Sequence, residues 1–283
     1  MSTQVDLFTN VEPTSISPAI AKLPVSRSTF YQGDCLVEMD KIADKSVDMI
    51  LCDLPYGTTA CKWDSIIPFE PLWKHYERVI KDNGAIVLTA SQPFTSVLIN
   101  SKIALFKYEW IWNKRRAANF MSAKFQPMKF HENICVFSKG GANNGSKIPM
   151  KYNPQMREFS EASKERYKYG FKNGVISDNF IGRISKSFLE EKEWVNKQEG
   201  NYSISLLEYK LPDKKIHSTQ KPVELMEYLI KTYTNEGDTV LDNCMGSGST
   251  GVACKKTGRN FIGIEKDEKY FEIAVSRVSA YCG

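Results

Sequence analysis

The sequence is poor in the residues that build metal centres, and it lacks the long apolar runs that cross membranes. It has three histidines and seven cysteines in 283 residues, with no Cys-x-x-Cys pair, so no structural zinc site is expected. No stretch of about 18 apolar residues occurs, so no membrane span is expected either. The cysteine number is odd, and most cysteines lie in or beside apolar segments, which indicates reduced, buried thiols in a cytoplasmic protein.

Acidic side chains are missing from one stretch, and positive charge is concentrated in another. No Asp or Glu lies between Glu109 and Glu132, whereas that stretch carries five Lys or Arg. Residues 139–215 carry 15 Lys or Arg and 10 Asp or Glu, a surplus equal to the net charge of +5 of the whole chain. Basic surface of this kind suits a polyanion as partner, although it is also an ordinary solvated surface.

Apolar segments of strand length alternate with helical patterns towards both ends of the chain, which predicts an α/β fold with a mostly parallel sheet. We place this domain at residues 29–139 and 213–283. Between them, residues 140–212 lose periodicity after a loop rich in Gly and Asn, and we expect an inserted module there. Residues 1–28 are rich in Ser, Thr and Pro and lack the features of a secretory signal, so we expect a loosely ordered tail.

A polar motif follows the apolar segment 47–52. The motif is Asp53-Leu54-Pro55-Tyr56, and Gly57 after it permits a sharp exit from the strand. In open α/β sheets, ligands bind at the carboxyl ends of the strands. On these residues alone, a binding site and an ordinary strand-ending turn are equally supported.

A glycine-rich loop near the end of the chain supplies a second candidate site. Residues 246–251 fit the dinucleotide fingerprint Gly-x-Gly-x-x-Gly, and Glu265 at the end of the next predicted strand could accept both hydroxyls of a ribose. Asp242 precedes the loop, where a carboxylate would repel a pyrophosphate but attract a sulfonium or ammonium group. Lys221 could pair with a carboxylate of the same ligand. S-adenosylmethionine therefore fits better than NAD, and a glycine turn with a capping acid is the structural alternative.

With these residues, the chain resembles the amino-DNA methyltransferases of the permuted, so-called beta order, over most of residues 29–280. The resemblance implies a Rossmann-like fold: a seven-stranded, mostly parallel sheet with helices on both faces and an inserted recognition module. The segments that carry it are Gly33-Asp34-Cys35, residues 47–56, His217-Ser218-Thr219-Gln220-Lys221-Pro222, residues 242–250 and Gly263-Ile264-Glu265.

The resemblance also implies roles for individual residues. Asp53 and the carbonyl of Leu54 would hold the amino group of a flipped base, Pro55 would fix the turn, and Tyr56 would stack on the base. S-adenosylmethionine would be bound by a larger set: Asp34, Cys35, Lys221, Pro222, Asp242, Cys244, Met245, Gly246, Ser247, Gly248, Ser249, Thr250 and Glu265. Two positions depart from the family pattern, because Leu54 replaces a proline and Asn243-Cys244 replaces Pro-Phe.

The motif residues favour methylation of adenine N6. Two acceptors aimed at the N–H bonds of an exocyclic amine can localise its lone pair towards the methyl group, so no metal is needed. Cytosine N4 enzymes usually have Ser at the Asp53 position, and C5 enzymes need a Pro-Cys nucleophile that is absent from this sequence. Three alternatives stay open: an N4-cytosine methyltransferase, a dinucleotide-dependent oxidoreductase and a non-catalytic DNA-binding protein.

Double-stranded DNA is the expected partner. Residues 113–120 are predicted to form a loop after the strand 107–112, and the candidates for DNA contact there and just beyond are Lys114, Arg115, Arg116, Asn119 and Lys124. A solvated basic loop is the other interpretation. Residues 140–212 would read the target sequence, with Tyr152, Arg166, Tyr167 and Tyr169 as weak candidates. The family also suggests a cognate restriction endonuclease and a homodimer as partners.

Overall fold

An eight-stranded sheet lies at the centre of the chain in the computed structural model, which describes residues 26–57, 64–158, 202–212 and 220–281. The strands are β1 (Ser28–Gln32), β2 (Val47–Asp53), β3 (Ile80–Ala90), β4 (Phe106–Ala118), β5 (Lys129–Phe137), β6 (Leu206–Glu208), β7 (Thr239–Asp242) and β8 (Asn260–Glu265). The helices are α1 (Cys35–Glu38), α2 (Phe69–Val79), α3 (Phe94–Ser101), α4 (Val223–Tyr233), α5 (Ser249–Lys256) and α6 (Glu268–Ser279), with short 3₁₀ turns at Met39–Lys41 and Phe120–Ser122.

The strands run in the order β1-β8-β7-β2-β3-β5-β4-β6. All neighbours from β1 to β3 are parallel, β5 is antiparallel to both β3 and β4, and β6 is parallel to β4. Strands β8 and β7 come from the end of the chain but lie between β1 and β2 in the sheet. The glycine-rich loop after β7 therefore lies beside the Asp53 motif after β2. The fold thus joins two sites that are about 190 residues apart in sequence.

Each face of the sheet carries its own layer of helices. Met49 and Leu51 pack into the core formed with α4, α5 and α6, whereas Ile50 and Cys52 pack into the core formed with α1, α2 and α3. Because β2 is buried on both faces, residues 49–52 appear in the sequence as a continuous apolar run rather than as an alternating pattern.

Three expectations about the sheet need correction. The sheet has eight described strands rather than seven, because Leu206–Glu208 from the predicted insert pairs with β4. Residues 113–118, predicted as a loop, continue strand β4 and pair with β5. Gly84, predicted to end the unit before a strand, lies inside β3, where a Cβ atom would come within 2.7 Å of the Asp48 carbonyl oxygen.

The predicted domain boundaries stay predictions. Most of the tail 1–28 and of the insert 140–212 falls outside the described residues, including Arg166, Tyr167 and Tyr169, as do residues 217–219 of the motif before α4. The described part of 140–212 contacts the sheet, since Lys151 forms ion pairs with Asp48 and Asp238. Within the four described ranges, no helix is long and apolar enough to cross a membrane.

Candidate active site

One continuous pocket of about 820 Å³ opens at the carboxyl ends of β2, β7 and β8. This volume lies in the usual range for small-molecule sites. The pocket lies at the edge of the sheet where the strands have their carboxyl ends, which is where parallel α/β sheets bind ligands. The Asp53 motif lines one half of the pocket, and the glycine-rich loop lines the other. The two predicted sites therefore form one cavity.

Asp53 is the last residue of β2, and described neighbours engage both oxygens of its carboxylate. The hydroxyls of Tyr56 and Thr89 both donate to Oδ1, the former at 2.8 Å. The ammonium group of Lys221 donates to Oδ2 at 2.7 Å. The Tyr56 ring also stacks on Phe94, with 5.1 Å between ring centroids. These contacts fix the orientation of the carboxylate at the floor of the pocket.

Asp53 belongs to a network of four charged side chains, whose other members are Lys221, Glu132 and Lys114. Lys221 lies 3.3 Å from Oε2 of Glu132, and Lys114 lies 3.1 Å from Oε1 of the same carboxylate. Burial alone would raise the pKa of Glu132, but the two lysines hold it below its ordinary value. Burial would likewise lower the pKa of Lys221, but Asp53 and Glu132 raise it above its ordinary value. The network thus favours the ionised forms of Glu132 and Lys221 although both side chains are largely buried.

The glycine-rich loop brings backbone amides and the start of α5 to the pocket. Gly246 and Gly248 adopt left-handed conformations, with φ of 51° and 78°, and α5 begins at the next residue. The Glu265 carboxylate accepts from the backbone N–H of Gly246 at 2.8 Å and from that of Asp267 at 2.9 Å. Arg277 of α6 donates to the Ser247 carbonyl at 2.9 Å. Strand β8 and helix α6 therefore hold the loop in place.

Asp242, at the end of β7, is 4% exposed and faces the pocket. Burial raises the pKa of its carboxyl to about 7, although hydrogen bonds from Thr250 and the Cys244 amide act in the opposite direction. The carboxyl is therefore half protonated near neutral pH. A cation placed beside it would favour the charged form.

Three cysteines line the cofactor half of the pocket. The thiol of Cys244 lies within hydrogen-bonding reach of the thiols of Cys35 and Cys52. Burial raises the pKa of Cys52 to about 12, so that thiol stays protonated. Neighbouring Asn243 accepts a hydrogen bond from the buried hydroxyl of Tyr76 at 2.6 Å, which anchors the loop. At the other departure from the family pattern, Leu54 packs into the core with α1, α2 and α3.

Most of the residues predicted to bind the cofactor line the pocket, and two do not. Pro222 is buried at the start of α4, and Gly248 faces Ala274 and Val278 of α6. Asp34 lines the pocket while its carboxylate caps α1 and pairs with Lys266 at 3.0 Å. The lining residues from the predicted set are Asp34, Cys35, Lys221, Asp242, Cys244, Met245, Gly246, Ser247, Ser249, Thr250 and Glu265.

The residues predicted to contact DNA occupy two different environments. Lys114 is buried in the pocket wall rather than exposed, because Trp110, Trp112 and Lys114 alternate along the inner side of β4. Arg115 is exposed and pairs with Glu208 at 2.5 Å, and Arg116 and Lys124 are exposed as well. Asn119 is exposed, and its side chain accepts from the backbone N–H of Lys129 at 2.9 Å.

Sequence reasoning missed two polar residues of the base-binding half. Thr89 ends an apolar run in β3, and Glu132 lies on β5 between His131 and an apolar run. Thr89 carried a usable signal, because a polar residue at the carboxyl end of a central strand faces the ligand edge. Within the residues that the structure describes, no cluster of three His, Cys, Asp or Glu side chains could hold a metal ion.

Two bacterial methyltransferases are similar to this chain over most of its length. The Type II methyltransferase M.HinfI of Haemophilus influenzae is 28% identical over 280 residues, covering 89% of this chain and 68% of the relative. The Type II methyltransferase M1.MboII of Moraxella bovis is 29% identical over 261 residues, covering 85% of this chain and 92% of the relative.

Solved structures confirm the predicted class of fold. The M1.HpyAVI–SAM complex has a TM-score of 0.58 at 23% identity, covering 88% of this chain and 99% of that one. The PvuII cytosine-N4-specific DNA methyltransferase has a TM-score of 0.60 at 14% identity, covering 90% and 87%. A family model described as DNA methylase (N6_N4_Mtase) matches residues 47–276. Because that match runs from β2 into α6 and spans most of the sequence, the chain belongs to the DNA methylase family.

Proposed function

We propose that this chain transfers the methyl group of S-adenosylmethionine to the N6 amino group of an adenine flipped out of DNA. The observation that carries the proposal is that Asp53, whose carboxylate accepts a hydrogen bond from Tyr56, lines the same pocket as the glycine-rich loop. A base stacked at Tyr56 would present its exocyclic amine to Asp53 and its nitrogen lone pair to the cofactor side.

The residues on the cofactor side suit a zwitterionic nucleoside. S-adenosylmethionine supplies an electrophilic methyl group when it is bound. Glu265 would accept from the ribose hydroxyls, since each of its oxygens keeps a lone pair beyond its backbone hydrogen bond. Asp242 would face the cationic groups, and Lys221 could reach the carboxylate of the methionine portion. A pyrophosphate would meet the Asp242 carboxyl instead, which disfavours a dinucleotide.

The chain acts on the amine by orientation and electrostatics. Asp53 and the Leu54 carbonyl would accept its two N–H bonds, which directs the lone pair towards the methyl group. Lys221 donates to Oδ2, which keeps a second lone pair for the amine, and Glu132 at 3.3 Å offers Lys221 another partner. As the N–C bond forms and the S–C bond breaks, the nitrogen becomes cationic and then loses a proton. Asp53 stabilises that cation and is placed to receive the proton.

Cytosine N4 is the second candidate acceptor. It presents the same kind of exocyclic amine, and the PvuII enzyme, which shares the fold, is named as cytosine-N4-specific. Asp53 favours adenine, because cytosine N4 enzymes usually have Ser at this position. The products separate the two, since N6-methyladenine and N4-methylcytosine differ in mass and chromatographic retention.

The test is methyl transfer from labelled S-adenosylmethionine to unmodified DNA, followed by digestion to nucleosides. We expect label in N6-methyladenine, and label in N4-methylcytosine would overturn the adenine assignment. Asp53→Ala should lower the rate by about 100- to 1,000-fold, as expected for loss of an electrostatic catalytic group, while the cofactor still binds. An unchanged rate in this variant would refute the role of Asp53. Tight binding of NAD with no methyl transfer would favour the oxidoreductase.

The target sequence and the partners require separate measurements. Sequencing DNA from cells that express the protein, with detection of modified bases, would give the recognition site. The relatives are named as Type II methyltransferases, which supports a role beside a cognate restriction endonuclease. Protection of the modified DNA from an endonuclease of the same specificity would test that role, and sedimentation equilibrium would test the homodimer.

A further inference from the structure

The hairpin between β4 and β5 ends in an exposed apolar tip, which we define as residues 119–128. Phe120, Met121 and Phe125 are 75%, 84% and 89% exposed, and no other large hydrophobic residue in the described ranges is as exposed as these three. Exposed apolar side chains on this scale mark a contact surface more often than a free surface.

The tip has a defined backbone. Asn119 adopts a left-handed conformation and ties the two strands together by accepting from the Lys129 amide. The amides of Phe125 and Gln126 both donate to the Ser122 carbonyl, at 2.9 and 3.1 Å. The apolar side chains are therefore presented by a hydrogen-bonded turn.

The surroundings of the tip are positively charged, and its stem reaches the active site. No acidic residue lies between Glu109 and Glu132, Arg116 is exposed beside the tip, and Lys124 is exposed within it. In the stem, Ala118 lines the pocket. Phe120 follows two residues later, so it lies within about 7 Å of Ala118 along the chain.

We propose that the tip enters duplex DNA beside the target base, and that Phe120 and Phe125 fill the space that the flipped base leaves in the stack. This inference rests on the proposed function. Duplex DNA combines an anionic surface with an apolar interior of stacked bases. It therefore suits the exposed aromatic residues of the tip and the basic residues around them. A two-fold contact with a second copy would bring basic flanks together, so charge disfavours self-association there.

The test compares two DNA substrates that contain the recognition site. In one the target adenine is paired, and in the other it faces an abasic site and is already unpaired. The double variant Phe120→Ser and Phe125→Ser should lower kcat/KM on the paired substrate by about tenfold or more, because stacking of an aromatic ring no longer offsets extrusion of the base. On the unpaired substrate, the rate should stay within about threefold of the unchanged chain, since extrusion costs little there.

A matched control keeps the surface change but moves it away from the site. Ile103 is 62% exposed and follows α3, so Ile103→Ser should leave both rates unchanged. Thermal unfolding of each variant checks that the fold is retained.

Two outcomes would overturn the inference while leaving the proposed function intact: equal losses on both substrates, with or without loss of a dimer, or no loss on either substrate. Binding to anionic lipid vesicles that depends on the two phenylalanines, with unchanged rates on both DNAs, would assign the tip to a lipid surface instead. If the unchanged chain methylates neither substrate, the proposed function itself fails.

Discussion

The buried carboxyl of Asp242 should make cofactor affinity depend on pH. Burial raises its pKa to about 7, so the chain alone holds a proton there at pH 5.5. A bound sulfonium or ammonium group would favour the carboxylate and lower this pKa. When S-adenosylmethionine binds at pH 5.5, Asp242 must therefore release its proton. Affinity should therefore rise with pH up to about 7 and level off above it.

The size of the effect follows from the fraction of charged carboxylate. With a pKa of about 7, roughly 3% of Asp242 is ionised at pH 5.5 and about half at pH 7. If the carboxylate stays ionised in the complex, the Kd for S-adenosylmethionine should fall about 15-fold over this range, equivalent to about 1.6 kcal/mol. The range ends below the pKa of the cofactor's own amino group, which is about 8.

Titration calorimetry at pH 5.5, 6.25 and 7 measures this dependence, and two buffers of different ionisation enthalpy report the released proton. Asp242→Asn is the matched control, because it keeps the shape of the side chain and cannot ionise. Its Kd should be nearly constant over the range, which also subtracts any histidine that titrates. Equal Kd values at pH 5.5 and 7 in the unchanged chain, or the same slope in Asp242→Asn, would refute the reasoning.

The same shift has a consequence for the stability of the chain alone. The pKa of Asp242 in the folded chain lies above its ordinary value of 3.8, so the folded chain keeps a proton that the unfolded chain releases. Stability should therefore decrease as pH rises from about 4 to 7, by up to about 4 kcal/mol from this group. Urea unfolding at pH 8 should find Asp242→Asn more stable than the unchanged chain. A less stable variant would contradict the burial cost assigned to the carboxylate.

Two further predictions concern charged residues near the base-binding half. Replacing Arg115 and Arg116 with Ala should weaken DNA binding and lower the slope of log K against log salt by about 1 for each phosphate that no longer meets a guanidinium group. An unchanged slope in a salt titration of DNA binding would show that neither arginine contacts DNA phosphates. Lys221→Met should cost about 3 kcal/mol of stability at pH 8, because Asp53 and Glu132 lose the cation between them. Urea unfolding measures that loss, and adding Glu132→Gln should recover part of it; no recovery would mean that the two residues are not coupled.

The strands that are buried on both faces could be predicted from sequence. Residues 49–52 of β2 and 85–88 of β3 are continuous apolar runs, since α-helices cover both sides of the sheet. β6 could not be predicted, because a strand of three residues is too short to show a period. Its position depends on pairing with β4, which no local pattern encodes.

The end of β4 was predicted wrongly for a chemical reason. Trp110, Trp112 and Lys114 follow the two-residue period of a strand, but a lysine in a buried position breaks the apolar pattern. It can be buried because Glu132, on the next strand, neutralises it. An ion pair between strands therefore hid the continuation of the strand, and it also placed Lys114 in the pocket instead of on the outer surface.

The candidate site was predictable where a motif carried it and not where the fold assembled it. Asp53 stands out because it follows a buried strand and begins a turn. Its partners Thr89 and Lys221 come from two other segments, and Glu132, which pairs with Lys221, comes from a third. Only the order of strands shows that they meet.

The contacts of Asp53 bear on how the two halves of the pocket work together. Tyr56 and Thr89 hold Oδ1 and can stay in place, whereas Lys221 holds Oδ2, the oxygen that an incoming amine would need. In the proposed function, the same ammonium group binds the carboxylate of the cofactor. Movement of Lys221 towards that carboxylate would free Asp53 for the base, and Glu132 would keep the ammonium charge neutralised on the way. Under the proposed function, cofactor binding would therefore favour base binding by drawing Lys221 away from Asp53.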